Sequence, residues 1–200
     1  MRFCRSLCLI AAVTVAPAVQ AATATSLADQ WDALLQKHVR KSGGVDYQGL
    51  KMDQAALTAF VDAHAGFDPK PLSDSAKKAV YINLYNAGMV LNLLRHATAE
   101  KLDVNSPAFT ALKINDIKVP GGNIWNGDYK LPIADQKLTL DQIEHGLIRG
   151  ADAKGPLDAL KVSKLDPRIH AAVNCAALSC PRVRERAYRE ENIDSCSTKI

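Results

Sequence analysis

The chain has 200 residues, with 25 Lys and Arg against 21 Asp and Glu and a formal net charge of +4. The charges are interspersed and form no basic stripe, which argues against nucleic acid as a partner. Nothing after residue 21 is long and apolar enough to span a bilayer, so no membrane association is expected beyond the opening segment.

That opening segment, residues 1–21, reads as a secretory signal peptide. Arg2 and Arg5 give a positive start, an apolar run follows from Leu7 to Val19, and Val19-Gln20-Ala21 supplies the small-x-small cleavage pattern. Cleavage would remove Cys4, Cys8 and both arginines, leaving 23 Lys and Arg and a net charge of +2. The expected location is therefore periplasmic or extracellular. Cys175, Cys180 and Cys196 would meet an oxidising compartment, and their odd number leaves at least one thiol free or paired between molecules.

An N-terminal helix is expected within residues 22–45, capped by Ser26, with Trp31, Leu34, Leu35, His38 and Val39 at helical spacing and Gly43-Gly44 ending it. Residues 46–200 read as a single domain. A second amphipathic helix is expected over residues 54–63, and Asp68-Pro69-Lys70-Pro71 breaks the chain. Residues 73–97 carry the strongest helix signal. Ser73 or Asp74 can cap it, and Val80, Leu84, Ala87, Leu91 and Leu94 form an apolar stripe flanked by Tyr81, Ile82, Tyr85 and Val90. A helix so apolar around its girth is expected to be central and buried. Asn83 and Asn86, three apart, share one of its faces, where buried amides must find partners. Pinning a loop is the expected role, ahead of contacting a substrate.

Pro120-Gly121-Gly122-Asn123 and Asn126-Gly127-Asp128 are turn chemistry, residues 129–133 alternate as a strand, and Ala134-Asp135-Gln136-Lys137 reads as a hairpin turn. The Trp125 loop between them is expected to close over a core edge. Thr139 and Gln142 match a capping box that opens a helix running to Arg149, with Gly150 as its terminator. On an ordinary helix His145 and Arg149 would share a face, with Glu144 about 100° away beside Ile143 and Leu147. A carboxylate there must be paired, by Arg168 or by backbone amides, or raised in pKa for acid-base work. Residues 169–173 are short and apolar and read as a buried strand. The expected architecture is α+β: a helical N-terminal half with a long buried central helix, then a small antiparallel sheet in the second half.

Asp166-Pro167-Arg168-Ile169-His170, Asn174-Cys175 and Ser179-Cys180-Pro181 gather an imidazole, two thiols, an amide and a hydroxyl within sixteen residues. Three readings are open. In the first, Cys175 is a nucleophile, His170 its base, and Glu144 or Asn86 the group that orients the imidazole. In the second, Cys175 and Cys180 form a disulfide staple. In the third, His170, Cys175 and Cys180, with His145, hold zinc, at spacings that match no common finger or ribbon. No cofactor is expected.

The segments Tyr81-Ile82-Asn83-Leu84-Tyr85-Asn86-Ala87, Leu138-Thr139-Leu140-Asp141-Gln142-Ile143-Glu144-His145 with Arg149, and Asp166 to Pro181 together resemble the domain of unknown function numbered 547. The resemblance runs from about residue 46 to 190. It implies that Asn86, Glu144, His145, His170 and Cys175 converge in one cleft. It also carries a distant likeness to papain-like or transglutaminase-like thiol hydrolases, although those place the cysteine at a helix start and ahead of the histidine. Members of the family continue past residues 188–192 into further elements, whereas this chain closes on the polar Ser195-Cys196-Ser197-Thr198-Lys199-Ile200 and reads as truncated or frame-shifted. Two functions are thus expected: a thiol-dependent hydrolase or acyl transferase acting on an amide or ester, or a non-catalytic binding or structural module stapled by Cys175–Cys180. The partner would be a small molecule or a peptide.

Overall fold

The computed structural model describes residues 22–177 and 180–193. The expected signal peptide, Leu178, Ser179 and the closing segment with Cys196 lie outside the described residues. The fold is α+β, with helices first and two small antiparallel ladders after them.

Helix α1 spans Ala24–His38 and starts three residues earlier than the Ser26 cap predicts. Thr23 is the cap. Its Oγ1 accepts from the Ser26 amide at 3.0 Å, and Ser26 Oγ accepts from the Thr23 amide at 2.9 Å. Ser26 is thus the return partner of a reciprocal box, which satisfies two first-turn donors at once. A short helix α2 (Tyr47–Met52), capped by Asp46, precedes α3 (Gln54–Asp62). Helix α4 covers Asp74–Ala99, with Ser73 accepting from the Ala76 amide.

Nearly every side chain of α4 is buried, as its apolar girth requires. Helices α1 and α3 pack against it, and Trp31 of α1 stacks on Phe60 of α3 with ring centroids 5.5 Å apart. Gly88 lets the hairpin strand approach: a Cβ there would overlap the Leu131 side chain.

After helix α5 (Pro107–Thr110), strands β1 (Lys118–Val119) and β2 (Gly122–Asn123) pair across Pro120-Gly121. Strands β3 (Leu131–Ile133) and β4 (Gln136–Leu138) form the second hairpin, burying Leu131, Ile133 and Leu138. Its turn is two residues long rather than the expected four. Ala134 and Asp135 take φ of 47° and 59°, as a mirror-image turn demands, while Gln136 and Lys137 already pair with Ile133 and Pro132.

The Thr139–Gln142 capping box is present, at 3.2 and 3.0 Å. The helix it opens, Gln142–Ile148, is a π-helix, and Gly150 leaves it at φ 65°. The expected strand at residues 169–173 is instead a 3-10 helix, Pro167–Ala171. Asp166 before a proline is a helix start: its carboxylate accepts from the Arg168 amide at 3.1 Å, and Pro167 supplies the fixed φ of a first turn. Beyond it, the described residues from 172 to 188 form no strand. Among the described residues no helix is long and apolar enough to cross a membrane.

Candidate functional site

The π-helix decides which side chains meet. Its hydrogen bonds join residues five apart, and the Arg149 amide donates to the Glu144 carbonyl at 2.9 Å. Wider turns bring Glu144 and Arg149 onto one face, the pair that an ordinary helix would hold apart. Arg149 Nη2 and Nε donate to Glu144 Oε1 at 2.7 and 3.2 Å, and each side chain is only 14% exposed. The expected face shared by His145 and Arg149 does not form. His145 is exposed in a separate shallow groove with Asp141, Asp152 and Lys154.

Arg149 also reaches His170. Nη1 lies 2.9 Å from His170 Nε2, and Nη2 lies 3.1 Å from Nδ1. A guanidinium has donors only, so His170 meets a cation here and not a thiol. Tyr85 of α4 closes the cluster from below. Burial and the adjacent Glu144 carboxylate hold its phenol well above the usual range, so it stays protonated, and the Trp125 side chain lies against the same hydroxyl. The Trp125 loop thus folds over the cluster's inner edge, with Asn123 Oδ1 accepting from the Trp125 amide at 2.9 Å.

Arg168 does not serve Glu144. It grips Asp166 through Nε and Nη2 at 2.9 and 2.8 Å, and Lys78 of α4 adds a bond at 2.9 Å. These cations hold the Asp166 carboxyl far below the usual carboxylate range.

The two amides of α4 bind backbone, each in both directions. Asn86 Nδ2 donates to the Ala172 carbonyl at 3.0 Å, and its Oδ1 accepts from the Asn174 amide at 2.8 Å. Asn83 does the same to Tyr188, at 2.8 and 2.9 Å. Asn174 carries the pinning onward, donating to the Pro181 carbonyl at 2.5 Å and accepting from the Ala176 amide at 2.9 Å. Within that loop Cys175 is joined to Cys180 by a disulfide, with Cα atoms 6.1 Å apart. Ala176 sits in the left-handed region at φ 61°, a conformation that costs a residue with a Cβ on the order of 1 kcal/mol and that the staple and Asn174 maintain.

Of the five residues expected in one cleft, Glu144 and His170 meet through Arg149, Asn86 fixes the loop that carries Cys175, and His145 stands apart. The nucleophile–base pair is not assembled, because the Cys175 sulfur is bonded to Cys180 and the His170 ring nitrogens face Arg149. The zinc set is not assembled either. Both thiols are consumed, and among the described residues no three His, Cys, Asp or Glu side chains converge. Arg149 stands out in the sequence beside Glu144 and His145, though with His145 rather than Glu144 on its face, and Tyr85 as the floor of the cluster does not. Tyr85 reads there as one more flank of the apolar stripe, and only its position beside Asn86 hints at a polar task.

No curated protein and no solved structure matches the chain. A family model described as "Protein of unknown function, DUF547" matches residues 69–196, the stretch that holds α4, both hairpins, the π-helix and the stapled loop. With more than half its length so matched, the chain belongs to the DUF547 family.

Proposed function

We propose that the chain is an exported, non-catalytic binding module, whose Arg149 cluster and Cys175–Cys180 loop build a rigid polar surface for a small molecule or peptide. The observation that carries this is the disulfide placed directly after His170, with Arg149 against both imidazole nitrogens. A thiol hydrolase needs a thiolate and a base free to accept its proton. Here Glu144 is paired with Arg149, and the same guanidinium lies against the His170 ring. Such self-satisfied networks rigidify a surface without leaving a reactive atom. Export fits the same reading, since the signal-like residues 1–21 would deliver the cysteines to a compartment where a disulfide persists.

The test is alkylation of the purified exported protein, with the labelled sites mapped by mass spectrometry. The expected result is a Cys175–Cys180 linked peptide that becomes alkylated only after reduction, and an N-terminus at Ala22. Rapid native alkylation of Cys175, at a rate showing a thiol pKa well below about 8.5, would sink the reading and restore the hydrolase.

A further inference from the structure

A second concavity lies away from the Arg149 cluster, between α1, the end of α3 and the first turns of α4, with residues 188–191 along one side. Its volume is about 280 Å³, near the lower end of ligand clefts, which run from about 300 Å³ upward. Leu27, Ala28, Phe60, Leu72, Ala79 and Val80 give it apolar walls. His64 belongs to the same wall, fully buried between the rings of Phe60 and Phe67. Burial holds its imidazole neutral, the pKa lowered to about 4, so it brings no charge at ordinary pH.

The charged side chains of the cavity are Arg189, Glu190 and Glu191. Arg189 is spent: its Nη2 donates to Asp29 Oδ1 at 2.6 Å and to Asp32 Oδ2 at 3.3 Å. An anion would therefore find no free cation there. Glu190 Oε1 accepts from Ser73 Oγ at 2.5 Å. The carboxylate of exposed Glu191 makes no ion pair or hydrogen bond with any described residue.

The first turns of α1 and α4 also open on this cavity, and their positive ends would disfavour a cation. Both ends are answered inside the protein. Thr23 and Ser26 close the box on α1, while Ser73 caps α4 and holds Glu190 beside it. Asp29 and Asp32 outweigh Arg189, so the surplus charge around the mouth is negative, and Glu191 is the carboxylate left without a counter-ion.

We propose that this cavity binds a small amphipathic amine, its apolar body against the α1–α3–α4 walls and its ammonium group paired with Glu191 at the rim. Apolar area removed from water supplies the affinity, and the carboxylate selects the charge of the head group. The inference does not depend on the disulfide reading above, and its failure would leave that reading intact.

Benzylammonium and benzyl alcohol are the paired probes, alike in shape and different in charge, with benzoate as the anionic control. Titrated into the full exported protein and followed by methyl NMR, benzylammonium should bind saturably and shift the resonances of Leu27, Leu72 and Val80. It should bind about fivefold tighter than benzyl alcohol, the ratio that about 1 kcal/mol gives and the upper end for a partly exposed ion pair. Benzoate should bind more weakly than either, and added salt should narrow the differences. In Glu191→Gln, a change at an exposed position, benzyl alcohol should bind as before and the preference for the amine should vanish. No saturable binding of benzylammonium, an affinity no greater than that of benzyl alcohol, shifts confined to residues outside the cavity, or a preference undiminished in Glu191→Gln would each overturn the proposal. The ranking of the three probes on the unaltered protein stands without the variant.

Discussion

Burial of His64 should make the fold lose stability on acidification well before its own ring or the carboxylates take up protons. The ring is fully buried and takes up a proton only at about pH 4, because burial disfavours the cation more than the nearby carbonyl of Phe60 favours it. In the unfolded chain the same ring titrates near 6.5. The folded pKa is thus depressed for a base. Its neutral form contributes full stability above about 6.5, and that contribution is lost as pH falls from there toward about 4. Linkage with those two values gives a loss of about 2 kcal/mol between pH 7 and pH 5. Urea unfolding followed by the fluorescence of Trp31, which stacks on Phe60 beside the cavity, reads the change directly. The comparison is with His64→Phe, which fills similar space and does not titrate. Both proteins share every other ionisable group, including Arg189, Glu190 and Glu191 at the cavity, so the difference in slope isolates His64. Equal slopes for the two proteins from pH 7 to pH 5 would refute the reasoning, whatever the absolute stability of the variant.

Asn86→Ala should destabilise the fold by about 2–3 kcal/mol, since it strands both the Ala172 carbonyl and the Asn174 amide, and chemical denaturation would measure it. Reducing the Cys175–Cys180 bond in the folded protein should cost about 2 kcal/mol, the modest value for so short a loop, read as a lower urea midpoint. Asp166→Asn should lower stability at neutral pH and flatten the acid limb. The depressed carboxyl of Asp166 contributes above about pH 4, and that contribution is lost on descent toward its folded pKa, so urea midpoints taken from pH 5 to pH 2 should fall less in the variant. Gly88→Ala should lower the stability read from urea unfolding by about 1–2 kcal/mol, overpacking against Leu131 outweighing the better helix propensity of alanine.

Much of the helical half was legible because its signals are local. The Ser73 cap, the Thr139–Gln142 box and the terminating Gly150 each use hydrogen bonds between residues a few positions apart, and the girth of α4 announces its burial. The paired role of Asn83 and Asn86 also followed from spacing, though not the strands of chain they would hold. What failed were competitions between two local options. Ser26 was read as a cap when its hydroxyl serves Thr23, and residues 169–173 read as strand from apolarity while Asp166-Pro167 was already starting a 3-10 turn. The π-helix has no such signature. Its wide turns set Glu144 and Arg149 on one face beside Tyr85 of α4, a contact between segments far apart in the chain that no local pattern announces. His64 escaped notice for a simpler reason. Phe60, His64 and Phe67 fall at helix-like spacing that runs past the end of the expected helix, and the imidazole sits among aromatic rings.

The side-chain amides of α4 do for the C-terminal half what a neighbouring strand does in a sheet. Asn83 and Asn86 each offer one donor and one acceptor to passing backbone, at sequence distances of 105 and 88 residues. A segment held this way has no ladder of its own to zip up, so it docks only once the helix presents its amides. Closing such distant contacts late puts the organising work on α4 and its packing with α1 and α3. Native-state hydrogen exchange should then divide the molecule into tiers. Amides of α4 would exchange only through global unfolding, while those of Asn174 and Tyr188 would open earlier and together, as one cooperative unit peeling from a helix that remains folded.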